Sequence, residues 1–345
     1  MSSWDLAYRL LRANYDGLPS SHCDVPPPDP SHGAPAHNHN CTVTSVVACG
    51  GGGVRVTYSP TVSSNNTPSE TTTLQADILI TADGPSSTIR SLFLPDLQRI
   101  YTGYCALRGT VPESSVSSTT LSLFANSFTF FHAAGVQILA YLIPGVNGSL
   151  AEGERLVNWV WYVNFPEGEG KGEVGEVLTD KEGKRHRYTV PPGMVDTKVW
   201  ERQMQRARET LPRQFVEVVC KAERPFVQAV TDVISGENEF LDGRVMLIGD
   251  ALAGFRPHTV ASTSQAAYDA MVYADYVEGR VTREEWKGRT MGYARFVQRR
   301  GVEMGERSQF GELELGELIK DRDVMSMPIR EEDFWKRGDY KGVSI

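Results

Sequence analysis

The pattern of apolar and polar positions predicts a mixed fold of helices and strands. A continuous apolar run at 245–248 is typical of a buried strand in a parallel sheet. Alternating β-branched residues predict strands at 42–48 and 54–58, and the glycines at 50–53 predict a hairpin turn between them. One further strand is predicted at 74–81.

Four helical regions are predicted, the first from apolar side chains at helical spacing and the third from its Ala, Ser and Thr content. These regions are 2–15, 196–219, 259–278 and 282–306. Ser2 and Asp5 have the spacing of a capping box at the start of the first, and Pro212 interrupts the second. The charged tail at 310–345 is predicted to form a peripheral helix with a frayed end.

The middle of the chain changes to short segments separated by Gly, Pro, Asn and Ser, which predict an antiparallel sheet. Its predicted strands are 107–111, 119–124, 128–133, 137–143 and 156–163, and a strand-like segment follows at 225–234. Eight aromatic residues lie in this region: Phe124, Phe128, Phe130, Phe131, Tyr141, Trp159, Trp161 and Tyr162. They either wall an apolar pocket for a flat substrate or form only the core of the sheet.

Composition and charge narrow the class of protein. The chain has 345 residues, of which 40% are hydrophobic and 23% charged, as in globular proteins. A net charge of −8 argues against general nucleic-acid binding, and no apolar run is long enough to span a bilayer. The N-terminus lacks the layout of a secretory signal, and five scattered cysteines suit a reduced compartment. We therefore expect a cytoplasmic protein, with a homodimer as a candidate assembly.

A Pro-, Ser- and His-rich loop at 17–41 raises the alternative of a metal site. Its metal-binding residue types are His22, Cys23, His32, His37, His39 and Cys41. Because their spacing matches no closed zinc pattern, a solvated insertion is favoured and no metal is expected. A Gly-, Glu- and Lys-rich excursion at 166–192 is predicted to have weak structure.

Two polar turns that follow predicted strands are the candidate ligand-binding features. Gly249 and Asp250 follow the apolar run at 245–248. Asp83 and Gly84 follow the predicted strand at 74–81, and Arg90 lies on a short predicted helix after them. Open α/β sheets bind ligands outside the carboxyl ends of their strands, and helix N-termini attract anions. By local pattern alone, both segments could also be ordinary turns without a ligand, since Gly and Asp are common turn residues.

The segments that carry a family resemblance are Ser3-Trp4-Asp5 with Tyr8-Arg9, 76–90 (ADILITADGPSSTIR), 107–113 (LRGTVPE), 157–169 (VNWVWYVNFPEGE), 189–195 (TVPPGMV), 225–232 (PFVQAVTD) and 243–270. Together they resemble the class A FAD-dependent monooxygenases of the para-hydroxybenzoate hydroxylase type. The likeness is greatest to the 2,6-dihydroxypyridine 3-monooxygenase branch. It implies a mixed α/β (α+β) fold, in which an antiparallel-sheet substrate domain is inserted into an FAD-binding Rossmann-like domain.

The resemblance also implies the cofactors and the reaction. NAD(P)H would reduce FAD, and molecular oxygen would add to give a flavin hydroperoxide. That species would transfer oxygen to an electron-rich aromatic or hydroxypyridine ring. The cofactor performs the difficult step, while the protein supplies orientation, electrostatics and exclusion of water.

By the same resemblance, Gly249 and Asp250 hold the ribityl chain of FAD, and the Asp250 carboxylate accepts hydrogen bonds from hydroxyl groups. Pro257 lies over the isoalloxazine ring. Backbone N–H groups face the N1–C2=O edge of the flavin, where a helix N-terminus stabilises the anion of the reduced form. These amides belong to Thr259, Val260, Ala261, Ser262 and Thr263.

The resemblance places Asp83 and Gly84 near the pyrophosphate and the nicotinamide cofactor, with Arg90 structuring the turn. His258 is adjacent to the flavin by motif and is the weak candidate for a catalytic residue. No catalytic base is assigned.

Two departures from the family pattern support a second hypothesis. The strand–G-x-G-x-x-G–helix unit that opens the family's first domain has no counterpart, because the glycines at 50–53 lie between hairpin strands. Ser262 stands where the branch usually has Gly, so its Cβ could crowd the flavin. The alternative is a truncated, inactive remnant or a mis-started gene model that does not hold FAD.

The predicted domain organisation has four parts. Residues 1–98 are a partial FAD-binding domain, 99–232 the antiparallel-sheet substrate domain, 233–280 the returning FAD-binding segment and 281–345 the C-terminal helices.

Overall fold

The computed structural model describes residues 3–30, 33–60, 71–168 and 172–311. Its helices are α1 (Trp4–Asp16), α2 (Thr88–Phe93), α3 (Ser118–Phe124), α4 (Gly172–Val177), α5 (Thr197–Thr210), α6 (Arg213–Cys220), α7 (Ser262–Val277) and α8 (Arg283–Phe310). Its strands are β1 (Cys41–Ala48), β2 (Val54–Pro60), β3 (Thr72–Ala76), β4 (Leu79–Thr81), β5 (Ile100–Pro112), β6 (Thr129–Ala133), β7 (Val136–Ile143), β8 (Leu156–Asn164), β9 (Thr189–Val190), β10 (Phe226–Ile234), β11 (Glu239–Phe240), β12 (Val245–Leu247) and β13 (Ala253–Gly254). The tail helix predicted at 310–345 lies almost wholly outside the described residues.

The first sheet is an antiparallel meander of β1, β2 and β3. The predicted hairpin is confirmed, since Cys49 N–H donates to Gly53 O at 3.1 Å across the glycine turn. Gly53 has a φ of +86°, and a Cβ there would lie 2.6 Å from Ala76 O. Only glycine therefore fits at the point where the hairpin meets β3.

The prediction of one strand at 74–81 is wrong, because the chain forms two strands in different sheets. β3 pairs with β2, and β4 then pairs with β12 in parallel, with Leu79 opposite Val245 and Thr81 opposite Leu247. The Leu79 N–H donates to Arg244 O at 2.8 Å where the chain changes sheets. Among the described strands, β4 and β12 are the parallel pair, and β11 adds antiparallel to β12. This small parallel unit lies in the segments where the family resemblance predicts an incomplete Rossmann-like domain.

The central sheet has seven antiparallel strands in the order β13-β10-β5-β8-β7-β6, with β9 beside β10. Four of the five strands predicted between 107 and 163 are confirmed, as is the one at 225–234. The strand predicted at 119–124 is wrong: this segment is helix α3. The Ser117 side chain caps the helix by accepting from Thr120 N, and the Glu217 carboxylate on α6 accepts from the Ser117 N–H at 2.8 Å.

The two faces of the central sheet have different neighbours because successive side chains point to opposite sides. One face packs with α5 and α6 in a large core that contains Trp159 and Trp161, both at most 1% exposed. The other face carries a second apolar cluster that includes Tyr104, Val160 and Tyr162. This second face lies toward the loop between β12 and α7.

Several helix boundaries differ from the predictions. The Ser3 side chain caps α1 by accepting from Leu6 N at 3.2 Å, and the capping box predicted at Ser2 lies outside the described residues. Helix α7 begins at Ser262 instead of Thr259, since Val260 takes a left-handed φ of 56° and breaks the helix before it starts. The segment at 166–192 is more ordered than predicted, with α4 and β9 inside it. Helix α8 is confirmed and extended to Phe310, with a capping box at Thr282.

Candidate active site

The two predicted ligand-binding turns lie side by side at the carboxyl ends of β4 and β12. Ile248 N–H donates to Thr81 O at 3.0 Å, which continues the parallel pairing up to both turns. The Arg90 guanidinium, which is 2% exposed, ties them together. It donates to Ala251 O at 2.7 Å and to Pro85 O at 2.6 Å. Burial lowers the pKa of Arg90, and the nearby Asp83 charge opposes this effect.

Asp83 and Gly84 lie at the margin of the site, outside the residues that line its cavity. The exposed Asp83 carboxylate accepts hydrogen bonds from Thr88 N at 2.8 Å and Ile89 N at 3.3 Å. It therefore satisfies free amides at the start of α2. Gly84 takes a φ of +82° that this tight turn needs.

Asp250 is the carboxylate that faces the cavity. Burial raises its pKa, and the positive charge of Arg99 partly opposes this shift. In the described ranges no protein group donates a hydrogen bond to this carboxylate, so both oxygens are available as acceptors.

A buried carboxylate fixes the turn from behind. Asp269 on α7 has no exposed surface, and its Oδ2 accepts from Gly249 N at 2.9 Å. The Gln265 amide donates to the same oxygen at 3.3 Å. Burial raises the pKa of Asp269 to about 7, although these two hydrogen bonds oppose the shift.

The loop after the turn forms one rim of the cavity, to which Pro257, Val260, Ser262 and Thr263 contribute. Ala261 precedes α7 without a side-chain cap, so the first amides of the helix have no side-chain acceptor. Thr259 and Ala261 belong to the loop but not to the lining. Ser262 is not among the residues with positive φ, so the Ser side chain in place of Gly adds no left-handed strain.

His258 is buried behind the cavity wall instead of lining it. Its ring lies 4.7 Å from the Tyr162 ring centroid, and its Nδ1 lies 3.0 Å from Gln137 Oε1. Gln137 Oε1 also accepts from Ser308 Oγ at 2.6 Å. Since an amide oxygen can only accept hydrogen bonds, His258 Nδ1 carries the hydrogen and donates it to Gln137 Oε1. In neutral His258, Nε2 then accepts from Tyr104 OH at 2.9 Å. This arrangement positions the loop against the sheet, and His258 is not among the residues that line the cavity.

The cavity has a volume of about 460 Å³ between the rim and the second face of the central sheet. Its apolar side consists of Ala106, Phe128, Leu139, Tyr141, Val160, Tyr162 and Val230. The eight aromatic residues named from the sequence thus divide between the two faces. Phe128, Tyr141 and Tyr162 line the cavity and Phe130 packs beside them, while Phe124, Phe131, Trp159 and Trp161 belong to the core.

Sequence reasoning did not name five further residues of the cavity as site residues, which are Trp4 on α1, Arg99, Arg108, Gln228 and Thr231. Arg108 and Gln228 lie within segments that carry the family resemblance, so their place on the strands was a signal. Arg99 has no such signal. It donates to Thr231 Oγ1 at 2.7 Å and to Ser86 Oγ at 2.7 Å, and it lies 3.8 Å from the Tyr188 ring centroid.

The described helices include none that is long and apolar enough to cross a membrane. Within the same ranges, no three His, Cys, Asp or Glu side chains come together as a candidate metal site.

An antiparallel sheet thus lies against a small parallel unit, with a carboxylate and a helix N-terminus at their junction. Residues 101–232 match the family model described as FAD binding domain-like. Over 252 residues the chain is 30% identical to the 2,6-dihydroxypyridine 3-monooxygenase of Paenarthrobacter nicotinovorans, which aligns 70% of this chain with 60% of that protein. The chain therefore spans less than two thirds of the length of this curated relative.

Solved structures agree with the sequence match. The 2,6-dihydroxypyridine-3-hydroxylase of Arthrobacter nicotinovorans superposes with a TM-score of 0.69 at 25% identity, covering 79% of this chain and 65% of that one. A salicylate hydroxylase in complex with substrate gives a TM-score of 0.60 at 18% identity, covering 90% of this chain and 70% of that one. These matches confirm the resemblance to the class A FAD-dependent aromatic hydroxylases.

Proposed function

We propose that the chain acts as an FAD- and NAD(P)H-dependent monooxygenase that hydroxylates an electron-rich aromatic or hydroxypyridine ring. The observation that carries this proposal is the Asp250 carboxylate. It faces a cavity with aromatic walls and has no donor from the described protein. A half-buried carboxylate without a donor suits the hydroxyl groups of a polyol chain.

The residues at the junction fit FAD in two further respects. The amides at the start of α7 have no side-chain cap, and a helix N-terminus stabilises negative charge at the edge of a reduced flavin. The turn at Gly249 packs closely on α7, because a Cβ added to Gly249 would lie 3.1 Å from Ala266 Cβ. The site residues named from the sequence would divide the cofactor between them, with Asp250 at the ribityl hydroxyls, Pro257 over the ring and the 259–263 amides at its edge.

When bound, FAD would supply the chemistry of oxygen activation that the family resemblance implies. The overall reaction consumes the ring C–H, O₂, NAD(P)H and one proton, and it yields the ring C–OH, water and NAD(P)⁺. The chain's own part is to orient the ring on the sheet face and to exclude water with Tyr162 and Phe128. His258 and Tyr104 would hold the loop in place from behind. A cytoplasmic location and a homodimer stay predictions.

A second hypothesis is a non-catalytic chain that does not hold FAD. Neither β4 nor β12, the parallel strands among the described residues, is followed by a G-x-G-x-x-G unit. The contacts to the pyrophosphate that such a unit provides are therefore not supplied by the turns that follow these two strands.

Titration of the purified chain with FAD separates the two hypotheses. We expect saturable binding, seen as a shifted flavin absorbance band and quenched flavin fluorescence, together with NAD(P)H-driven O₂ uptake when a hydroxylated ring is added. Asp250→Ala should weaken FAD binding about 10- to 100-fold, because hydrogen bonds to a carboxylate are lost.

The matched control is Glu201→Gln, which removes an exposed carboxylate from α5 away from the site. It should bind FAD like the wild type. A folded chain that binds no FAD, or an Asp250 variant with unchanged affinity, would contradict the monooxygenase proposal for this polypeptide.

A further inference from the structure

Trp4 is an exposed aromatic side chain that also lines the cavity. The residue is 78% exposed, whereas the four other tryptophans of the described ranges are at most 9% exposed. These four are Trp159, Trp161, Trp200 and Trp286. An indole has a large apolar surface, so covering it with a ligand is favourable. Trp4 therefore offers a surface to any flat ring that enters the cavity.

Its own helix holds the Trp4 ring in one orientation. The indole stacks on the Tyr8 ring one turn further along α1, with 5.2 Å between the ring centroids and 7° between the planes. The Tyr8 hydroxyl accepts from Arg12 Nη1 at 2.6 Å, and Arg12 Nη2 donates to the Asp16 carboxylate at 2.6 Å. Because the indole is already ordered, binding a ligand to it costs little conformational entropy.

The start of α1 is tied to strands that form the apolar wall of the cavity. His22 Nε2 lies 2.8 Å from Oδ2 of Asp5, the residue after Trp4. Ser21 Oγ donates to Asn147 O at 3.3 Å, in the turn between β7 and β8. These two contacts connect the segment that carries the indole with the central sheet, so Trp4 has a defined position beside the cavity.

A comparison within α1 distinguishes Trp4 from an ordinary exposed side chain. Leu11 is 71% exposed on the same helix, and single apolar residues on a protein surface are common. Leu11 is not among the residues that line the cavity, whereas Trp4 is. The aromatic wall of the cavity, with Phe128, Tyr141 and Tyr162, belongs to the sheet. Trp4 thus brings an aromatic side chain from a second element to the same space.

We propose that Trp4 binds a flat aromatic ring in the cavity by packing its indole against that ring, and that this contact closes the cavity on the side of α1. This inference rests on the monooxygenase proposal and adds a ligand-binding residue to its site. Two ligands of the proposed reaction present such a ring, the hydroxylated substrate and the isoalloxazine of FAD. A saturated ring of the same size has no π face and gains less from the indole.

Hydroxyl-radical footprinting of the full chain, read by mass spectrometry, measures the exposure of Trp4. The probes are resorcinol, 4-hydroxybenzoate and 3-hydroxypyridine for the substrate ring, and FAD for the isoalloxazine. We expect oxidation of Trp4 to fall with at least one probe, which identifies the ring that covers the indole. Tyr15 is the internal reference, because it is 54% exposed on the same helix and does not line the cavity. Cyclohexane-1,3-diol, the saturated counterpart of resorcinol, should leave Trp4 as reactive as in the free chain.

Substitutions at Trp4 connect this protection with affinity, measured by calorimetry for the ligand that protects the indole. Trp4→Ala should weaken binding about 10-fold, and Trp4→Phe should keep part of the affinity because it retains an aromatic face. Leu11→Ala removes an exposed apolar side chain from the same helix and is the matched control, which should bind like the wild type. Because Trp4 is largely exposed, both Trp4 variants should unfold close to the temperature of the wild type without ligand.

Unchanged oxidation of Trp4 with all four probes, or a Trp4→Ala protein that binds the protecting ligand as tightly as the wild type, would overturn this inference. Protection by ADP, which shares the adenine of FAD but has no isoalloxazine, would also overturn it. Failure of the monooxygenase proposal has a different signature, which is a chain in which a hydroxylated ring protects Trp4 but FAD does not bind.

Discussion

Asp269 is the residue on which the geometry of the Gly249–Asp250 turn depends most directly. Its Oδ2 holds the Gly249 amide, while its Oδ1 is buried without a hydrogen-bond partner. Burial without full compensation favours the neutral acid, which is why its pKa rises to about 7. The carboxyl group that supports the turn therefore titrates close to neutral pH.

The folded-state pKa of Asp269 is higher than its ordinary value of 3.8. The native state consequently binds more protons than the unfolded state between these values, so stability is lost as pH rises from about 4 to about 7. Asp269→Asn should remove this loss, because an amide keeps an acceptor for Gly249 and has no charge to bury. The variant should unfold at a higher temperature than the wild type at pH 8 and at a similar temperature at pH 4.

Thermal unfolding of both proteins from pH 4 to pH 8 provides the measurement. The size of the effect is bounded by about 1.4 kcal/mol per unit of pKa shift. Parallel curves for the two proteins across this range would show that Asp269 does not titrate there.

At the scale of single residues, positions along the chain could be predicted from the sequence better than the contacts that the residues make. The position of Asp250 at the end of a buried strand could be predicted from the apolar run before it, whereas its role toward a cofactor came from the family resemblance and stays a prediction. The capping role of Asp83 and the buried position of His258 could not be predicted, since each depends on which atoms the folded chain brings near. Arg99 was missed because its partners lie on two other segments.

Helix α3 shows how a distant contact decides the conformation of an element. The sequence at 119–124 has the β-branched and aromatic residues of a strand, yet Glu217 provides acceptors for a helix start. Its carboxylate accepts from Ser117 N, Ser117 Oγ and Thr120 Oγ1 at 2.8, 2.6 and 2.5 Å. Because about 100 residues separate the partners in the chain, no local window contains both signals.

Glu217→Gln should therefore destabilise the protein by about 1–3 kcal/mol at pH 7, since one acceptor oxygen is replaced by a donor. Burial opposes ionisation of Glu217, but hydrogen bonds from Lys221, Ser117 and Thr120 lower its pKa to about 2. The stabilisation is thus complete above pH 4.5 and is lost as pH falls toward 2.

Urea unfolding at several pH values measures this difference. The wild type and the variant should differ most at neutral pH and converge in acid. A constant difference at every pH would mean that the ionised carboxylate is not what holds the start of α3.

The architecture of the whole molecule could be predicted from the order of its elements along the chain better than from any single element. The strands of the antiparallel sheet and the two polar turns were predictable, because strand patterns and turn residues are local, whereas the insertion of that sheet between the turns came from the family resemblance. The split of 74–81 between two sheets was not predictable, since both halves have the same apolar pattern and only their partners differ. The left-handed break at Val260 was also hidden, because Val rarely adopts that conformation.

The division of the central sheet into a core face and a cavity face leads to a prediction for the molecule as a whole. Trp159 has no exposed surface and packs in the core, so Trp159→Ala should cost about 3–5 kcal/mol of stability. Tyr141 lines the cavity and stacks on Phe128, with 5.4 Å between the two ring centroids. Tyr141→Leu should weaken binding of an aromatic ring in the cavity and change stability by less than about 1.5 kcal/mol.

Urea unfolding and calorimetric binding on the same two variants check this separation. A Tyr141 variant as unstable as the Trp159 variant would show that the cavity face also supports the core.

The pleat of this sheet also bears on how such a protein changes over evolutionary time. Residues that hold the molecule together and residues that contact a ligand alternate along the same strands, so substitutions at one set need not disturb the other. A lineage can then explore new ring substituents by changing one face while inheriting an intact scaffold from the other. Neighbouring positions such as Trp161 and Tyr162 would be expected to diverge at different rates.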